Sequence, residues 1–558
     1  MDDLFPNLTE QTVSPSVETS RHTGPVAKKA MDGFIIPFPG YPQVEFGESF
    51  DWGHEEPGLT TTYQLYLQNL RVVNELLNEY QRSGDVEFVD KATELVFSWL
   101  EYVDDGNSVA MTWYDHAIAS RVRTLIYYAY VCRLAEVAID EERIAQSIRQ
   151  HAELLMLDEN HRMNNHGIMV DWALICSGFV LGNESYVLNG LGRVRSIFWQ
   201  TFSPRGVHQE NSPEYHRMVS GMFRSLEEYL GENGATLGGD IVESLDNIDR
   251  YPAIIAKPDR KLPALGDSSS GISSPRILWG NFHDELSGTS VMKHKDSGFY
   301  LAFISGFSQT AHKHSDDLSV ILSSGGVDFF VDAGKYNYGN NKFRRYVVSS
   351  KAHSSFSLNR GYIKTPDNKI TRKIATDHFL DSKSFTVASG YNAGYEGAIL
   401  RRTVYYLPAE GLTLIRDHGR SDRSDERWFE RFNLHQDVAI EAMGSNEYML
   451  SRAGASLNLK YLYDADVKII QGNTKSKWPS ALNSPASGKV VPTSQVVASR
   501  DGGHEFRGSI ALSAGQPRTV EEHSEMGVLH LRVDGQEYHL PEFDLHPSEM
   551  FAEDVAGR

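Results

Sequence analysis

The chain has 558 residues, 40% hydrophobic and 23% charged, with a formal net charge of −20. That length exceeds what one hydrophobic core serves, so two or three domains are expected. The acidic balance argues against a nucleic-acid partner, and the lack of any apolar run long enough to span a bilayer argues against a membrane partner.

Residues 1–58 are rich in Pro, Gly, Ser and Thr and read as an irregular N-terminal arm. The opening MDDLFPNLTEQTVSPS lacks the basic start and apolar stretch of a secretory signal. A cytoplasmic location is therefore expected, or a periplasmic or secreted one if the natural chain is longer.

From 59 to 262 the apolar period becomes helical. TYQLYLQNLRVVNELLNEYQ, KATELVFSWLEYV, IASRVRTLIYYAYVCRLAEVA and RIAQSIRQHAELLML place apolar residues three and four apart. GIMVDWALICSGFVLG is apolar nearly all round and predicts a helix buried on several sides. Cys132 and Cys176 fall inside such patterns and read as buried free thiols, with no disulfide framework. Successive helices with short connections suggest an antiparallel bundle or a helical toroid.

Residues 263–290 read as a linker, introduced by LPALGDSSSGISSP. Beyond it, over 291–558, GFYLAFISGF, LSVILSSGGVDFFVDAG, LRRTVYYLP, GLTLIRDHG and VLHLRVDGQEYHL are strand-like runs between Gly, Asn and Asp turns. This half predicts an antiparallel β-sandwich, interrupted by a loop at SKWPSALNSPASGKVVPTS. The fold class is thus multidomain α+β.

Three constellations could carry chemistry. In MNNHGIMVDW, Asn164 or Asn165 can cap the buried helix. Asn165, His166 and the helix N–H groups would then form an anion site; the plain alternative is a simple cap beside a surface histidine. In GVHQENSPEYHRMVSGMF, Ser212 suits an N-cap and Pro213 the first helical position, which puts Tyr215 and His216 in the first turn. Tyr215 is otherwise a half-buried packing residue with a wet hydroxyl.

The third constellation joins AHKHSDDLSVIL to VDFFVDAGKYNY and FRRYVVSSKAHSSF. On a strand, His312 and His314 share a face about 7 Å apart. With Asp332 and His353 the chain offers a donor set suited to zinc, or else a group of unconnected polar strand ends. Asp316 and Asp317 read as turn or supporting groups. Arg344 with Arg345, and Arg401 with Arg402, read either as solvated strand edges or as carboxylate or sulfate recognition. A P-loop and a G-x-S-x-G elbow are both missing from the sequence, which argues against a nucleotide enzyme or a serine hydrolase.

Taken in order, NNHG, ENSPEYH, HKHSDDLS, VDAGKYNY and RRYVVSSKAHSSF resemble the heparinase II/III-like polysaccharide lyases. The resemblance implies an N-terminal (α/α) toroid, an incomplete helical barrel, followed by an antiparallel β-sandwich. It implies β-elimination at a uronic acid: a carboxylate is neutralised, a base removes the C5 proton and an acid protonates the departing O4, leaving a 4,5-unsaturated end. No water is consumed, so no glycosidase-type carboxylate pair is needed.

By motif, the resemblance makes Asn165, His166, Tyr215 and His312 catalytic, with Tyr346 a further candidate base if Arg344 and Arg345 lower its pKa. Asn164, His216, Arg344 and Arg345 would contact substrate, and His314, Asp332 and His353 would hold a structural Zn²⁺. The implied partner is an acidic polysaccharide or oligosaccharide: a heparin- or heparan-sulfate-type glycosaminoglycan, alginate or a bacterial exopolysaccharide. A homodimer is compatible with it. Met169 stands where some relatives carry an acidic residue, which bears on action at both uronate epimers. The competing readings are a non-catalytic carbohydrate-binding or assembly protein of the same fold, and a metal-dependent hydrolase.

Overall fold

The structure, a computed structural model, describes residues 4–47, 50–59 and 61–545. The first three residues of the expected arm and residues 546–558 of the expected sandwich lie outside the described residues. Contacts divide the chain into two units, Met1–Thr201 with Gly221–Ser244, and Phe202–Ser220 with Leu245–Arg558.

In the first unit the amphipathic patterns become the helices Glu87–Asp104, Asp115–Leu134 and Glu141–Met156, the run apolar nearly all round becomes Asn165–Leu181, and a further helix, Glu184–Thr201, follows it. Their apolar stripes supply the interior, with Leu95, Trp99, Ile126, Ile148 and Leu174 fully buried. Asp140 caps the helix Glu141–Met156 by accepting from the Arg143 N–H at 3.0 Å.

The run over 62–81 is two helices, Thr61–Gln68 and Arg71–Ser83. Leu70 adopts φ +56 between them, and Asn69 restarts the chain by accepting from the Arg71 N–H at 2.9 Å. Periodicity alone does not show such a break.

The expected arm is not irregular. It holds the helix Thr23–Met31 and the paired strands Phe34–Ile35 and Val44–Glu45. Phe5, Val26, Ala27 and Trp52 are buried, and the segment is bonded onto the helices: Arg123 donates to the Ser14 carbonyl at 2.8 Å and Asn78 to that of Val17 at 3.0 Å. Pro and Gly mark turns, but the spaced apolar residues between them decide the burial.

The second unit is built from antiparallel sheets. One is a five-stranded meander, Phe282–Asp284, Thr289–His294, Phe299–Ile304, Ser319–Ser324 and Val327–Phe330. An eight-stranded sheet has Glu505–Ala514, Leu412–Ser421 and Ala398–Leu407 as neighbours at its centre. A four-stranded sheet includes Arg427–Asn433 and Phe356–Leu358. Phe303, Leu322, Phe330, Leu400, Trp428 and Phe432 join one core.

The segment 263–290 is part of this unit, not a linker. Leu262 and Leu265 pack with Tyr300 and Ile304, and Phe282–Asp284 is an edge strand. The loop at 476–494 contains a hairpin, Leu482–Ala486 with Lys489–Pro492.

Arg401 and Arg402 lie neither at a solvated edge nor at a recognition surface. Their strand is in the middle of the eight-stranded sheet, and both are buried. Arg402 grips Asp417 through two bonds of 2.7 and 2.6 Å, and Arg401 grips Asp377 at 2.9 and 2.8 Å. Their charge is spent internally.

Candidate active site

The helix Pro213–Glu232 begins as its sequence predicts, and its first turn is fixed from several sides. The Ser212 hydroxyl accepts from the Tyr215 N–H at 3.3 Å and lies 2.8 Å from the Ser268 hydroxyl. Glu214 accepts from the Ser269 N–H at 2.8 Å and from the Lys335 ammonium at 2.6 Å. Tyr215 is therefore held on a rigid platform.

Its ring stacks on the imidazole of His312, with centroids 3.6 Å apart and planes at 23°. Its hydroxyl is 3.0 Å from that of Tyr338. Although Tyr338 is 59% exposed, partial desolvation of its hydroxyl and the bond to Tyr215 push it up. Either hydroxyl can donate across that contact.

His312 and His314 are not on a strand. They lie in the turn before Ser319–Ser324, with His312 at φ +56. What unites them is Asp267, from the expected linker. A carboxylate can only accept, so His312 donates from Nδ1 to Oδ2 and His314 from Nε2 to Oδ1, each at 2.9 Å. Arg344 clamps the same carboxylate, one contact being 3.1 Å. Burial pushes the Asp267 carboxyl up, but the bonds from His312, His314 and Arg344 outweigh it and hold it far below the usual carboxylate range.

The turn is shaped from beneath. Asn211 donates to the carbonyls of Gln309 and Ala311 at 2.7 and 2.9 Å. At Gly266, φ is +52 and an added Cβ would lie 2.4 Å from the Asn211 carbonyl oxygen and 2.7 Å from that of His312. Only glycine allows this approach. Asp316 and Asp317 support the turn by enclosing the buried Lys313 ammonium, Asp317 at 3.0 Å.

His314, Asp332 and His353 converge, each offering a ligand atom within 4.8 Å of the others. All three are buried. The bond from His314 to Asp267 leaves its Nδ1 bare, and the bond from His353 Nδ1 to Asp332 at 2.9 Å leaves its Nε2 bare. Neither bare nitrogen has a hydrogen-bond partner. Two buried imidazoles and a carboxylate fit a divalent metal, and Asp267, bonded behind His314, is the kind of carboxylate that sets the tautomer of a ligating histidine.

Three expected site residues are placed elsewhere. Tyr346 is buried, and its hydroxyl accepts from the Leu482 N–H at 3.4 Å and from Gln495 Nε2 at 3.2 Å. Burial pushes it up to about 12, so it is a core residue and no base. His216 is buried too. It donates from Nε2 to the Ile248 carbonyl at 2.9 Å and accepts at Nδ1 from the His208 N–H at 3.3 Å. That carbonyl is free because Pro252, inside the helix Gly239–Ile255, has no N–H to return to it. Arg344 is committed to Asp267, whereas Arg345 is exposed and donates to Asn340 at 2.8 Å.

Asn164, Asn165 and His166 form a separate group in the helical unit. Asn164 is the N-cap of Asn165–Leu181, accepting from the His166 N–H at 2.9 Å, so it is spent on the helix rather than on a ligand. His166 Nδ1 is 3.5 Å from Asp115, with His116 beside it at 5.6 Å between ring centroids. The glycine of NNHG is obligatory: a Cβ at Gly167 would lie 1.8 Å from the Arg162 carbonyl oxygen.

Sequence reasoning missed Asp267, Tyr338 and Glu210, whose carboxylate is 3.7 Å from His312 Nε2. A pair of histidines with metal spacing calls for an orienting carboxylate, and that signal could have directed attention to Asp267.

The heparinase II/III N-terminal model matches residues 6–283, and the heparinase II/III-like C-terminal model matches residues 285–521. The chain belongs to the heparinase II/III family of polysaccharide lyases. Among solved structures this family member resembles the heparan sulfate lyase HepC from Pedobacter heparinus, at 15% identity and a TM-score of 0.71, over 97% of this chain and 92% of that one. It also resembles a heparinase III, at 13% identity and a TM-score of 0.74, over 98% and 94%. A Paenibacillus xanthan lyase aligns at 10% identity and a TM-score of 0.57, over 94% and 61%. At these identities the likeness speaks for the fold: a helical toroid followed by antiparallel sheets. No curated protein matches by sequence.

Proposed function

We propose that this polysaccharide lyase cleaves a uronic-acid-containing polysaccharide or oligosaccharide by β-elimination, with Tyr215 as the principal proton-transfer residue. The observation that carries the reading is the stacked Tyr215–His312 pair, with a second phenol 3.0 Å from the Tyr215 oxygen. A binding module has no need for two phenols and an oriented imidazole at one point. Tyr338 places a second phenol within hydrogen-bond distance of the Tyr215 oxygen. His312, with its tautomer set by Asp267, presents Nε2 as the second proton-handling atom. Neutralising the uronate carboxylate falls to Asn165 and His166, at the N-terminus of a long helix.

His314, Asp332 and His353 would hold the metal, for which zinc fits the donor set. These three residues come from separate chain segments, which a metal bound between them would tie together in a structural role. Sulfated glycosaminoglycan, alginate and bacterial exopolysaccharide are the candidate substrates; the net charge of −20 favours the less densely sulfated ones.

The test is ultraviolet absorbance of a panel of uronate polymers and oligosaccharides, incubated with wild type and Tyr215→Phe. A rise on one substrate that the substitution abolishes supports elimination and names the polymer. A saturated product with the same rate in Tyr215→Phe would sink the reading.

A further inference from the structure

A second cluster of histidines lies far along the chain. The strands Val520–Glu525, Val528–Val533 and Gln536–Pro541 form a three-stranded antiparallel sheet. Its register pairs His523 with His530, and His530 with His539. Alternation then fixes the faces. Leu529, Leu531, Val533 and Leu540 turn inward to a core with Val387 and Leu414. The three histidines fall in one row on the opposite, solvated face.

That row has no packing duty, and its geometry is close. The rings of His523 and His530 are stacked 4.5 Å apart at 8°, and His530 Nδ1 is 3.0 Å from His539 Nδ1. Like charges directly opposite on a sheet repel, so the row does not stabilise the sheet when protonated. Neutral, it gathers imidazole lone pairs. Ligand atoms of His523, Glu525 and His530 all lie within 4.8 Å of one another. Arg532, the nearest cation of the next row, is neutralised by Glu521 at 3.3 Å and Glu537 at 2.6 Å.

We infer that His523, Glu525 and His530 form a second metal site, for a divalent transition ion such as Zn²⁺, Ni²⁺ or Cu²⁺. Imidazole and carboxylate donors select that class. His539 acts as a positioning residue, because its hydrogen bond to His530 Nδ1 fixes the ring. The ion would join two adjacent strands across the sheet and is independent of the lyase reaction.

The test is calorimetric titration of Ni²⁺ into the full, untagged chain after chelator treatment. Wild type is expected to bind two equivalents. The double variant His523→Gln/His530→Gln loses one of them, while His353→Gln loses the other. Glu525→Gln weakens the surface equivalent by about tenfold or more. Turnover of whichever substrate responds stays unchanged in the surface variants. The surface double variant binding as many equivalents of Ni²⁺ as wild type would overturn the inference.

Discussion

The ring of Tyr215 lies flat on the imidazole of His312 with only 3.6 Å between their centroids, although the two residues come from different segments of the chain. Neither is placed by its own strand or helix alone. Tyr215 is set by a helix cap and His312 by the carboxylate of Asp267.

If that pair moves the proton, Tyr215→Phe lowers kcat by roughly 10²–10⁴-fold with little change in thermal stability. Tyr338→Phe removes one hydrogen bond to the Tyr215 oxygen and lowers kcat by about tenfold at most, since such a bond contributes on the order of 1 kcal/mol. Steady-state kinetics on the responding substrate read both. Equal losses for the two variants would contradict the assignment of Tyr215 as the principal residue.

Asp267→Asn is expected to damage two properties at once. It can no longer accept from both histidines and Arg344, so kcat falls by roughly 10²-fold and metal affinity by about 10–100-fold. Mass-spectrometric metal content beside initial rates checks this. Loss of rate with full retention of metal would show that His314 does not depend on Asp267.

Arg402→Met leaves Asp417 buried beside Glu430 without its cation and costs about 3–5 kcal/mol of stability. Replacing both residues, as in Arg402→Met/Asp417→Leu, costs much less, because no orphaned charge remains. Urea unfolding of the two variants decides it. A double variant as unstable as the single one would mean that the packing of the guanidinium, rather than its charge, is what counts.

Acid stability follows from three histidines, His151 and His216 buried and His116 half-buried. Burial pushes His116 and His216 down to about 4 and His151 to about 3. A depressed folded pKa contributes stability that is present above the unfolded value of about 6.5 and is lost as pH falls toward 4. Each can remove up to about 1.4 kcal/mol per pH unit in that window. Asp171, pushed up to about 6 by burial, acts the other way, since its protonated form is favoured in the fold and gains as pH falls. Three groups against one give a net loss between pH 6.5 and 5. Unfolding free energy that stays flat over that window would contradict the burial of these histidines.

Much of this arrangement was legible in the sequence, for physical reasons particular to each element. The buried helix Asn165–Leu181, its Asn164 cap and the Ser212 cap are local signals, and local signals are written in adjacent residues. The ligand types His314, Asp332 and His353 could be read because few other roles gather those side chains. Asp267 and Tyr338 could not be placed, because their partners lie many residues away in the chain. Tyr346 and His216 misled for the converse reason: sharing a motif with functional neighbours says nothing about which way a side chain turns. The arginine pair Arg401–Arg402 looked exposed because charge usually is. Only the strand order shows that its strand is interior.

The bond from His216 to the Ile248 carbonyl couples positions 216 and 252. Proline at 252 creates a thirsty oxygen, and histidine at 216 quenches it. A lineage that exchanged Pro252 for an ordinary helix former would restore the missing backbone bond and release His216 from selection. A lineage that lost His216 first would carry a buried, unanswered carbonyl until the proline followed. The path between the two states therefore has a preferred order, with the proline changing before the histidine.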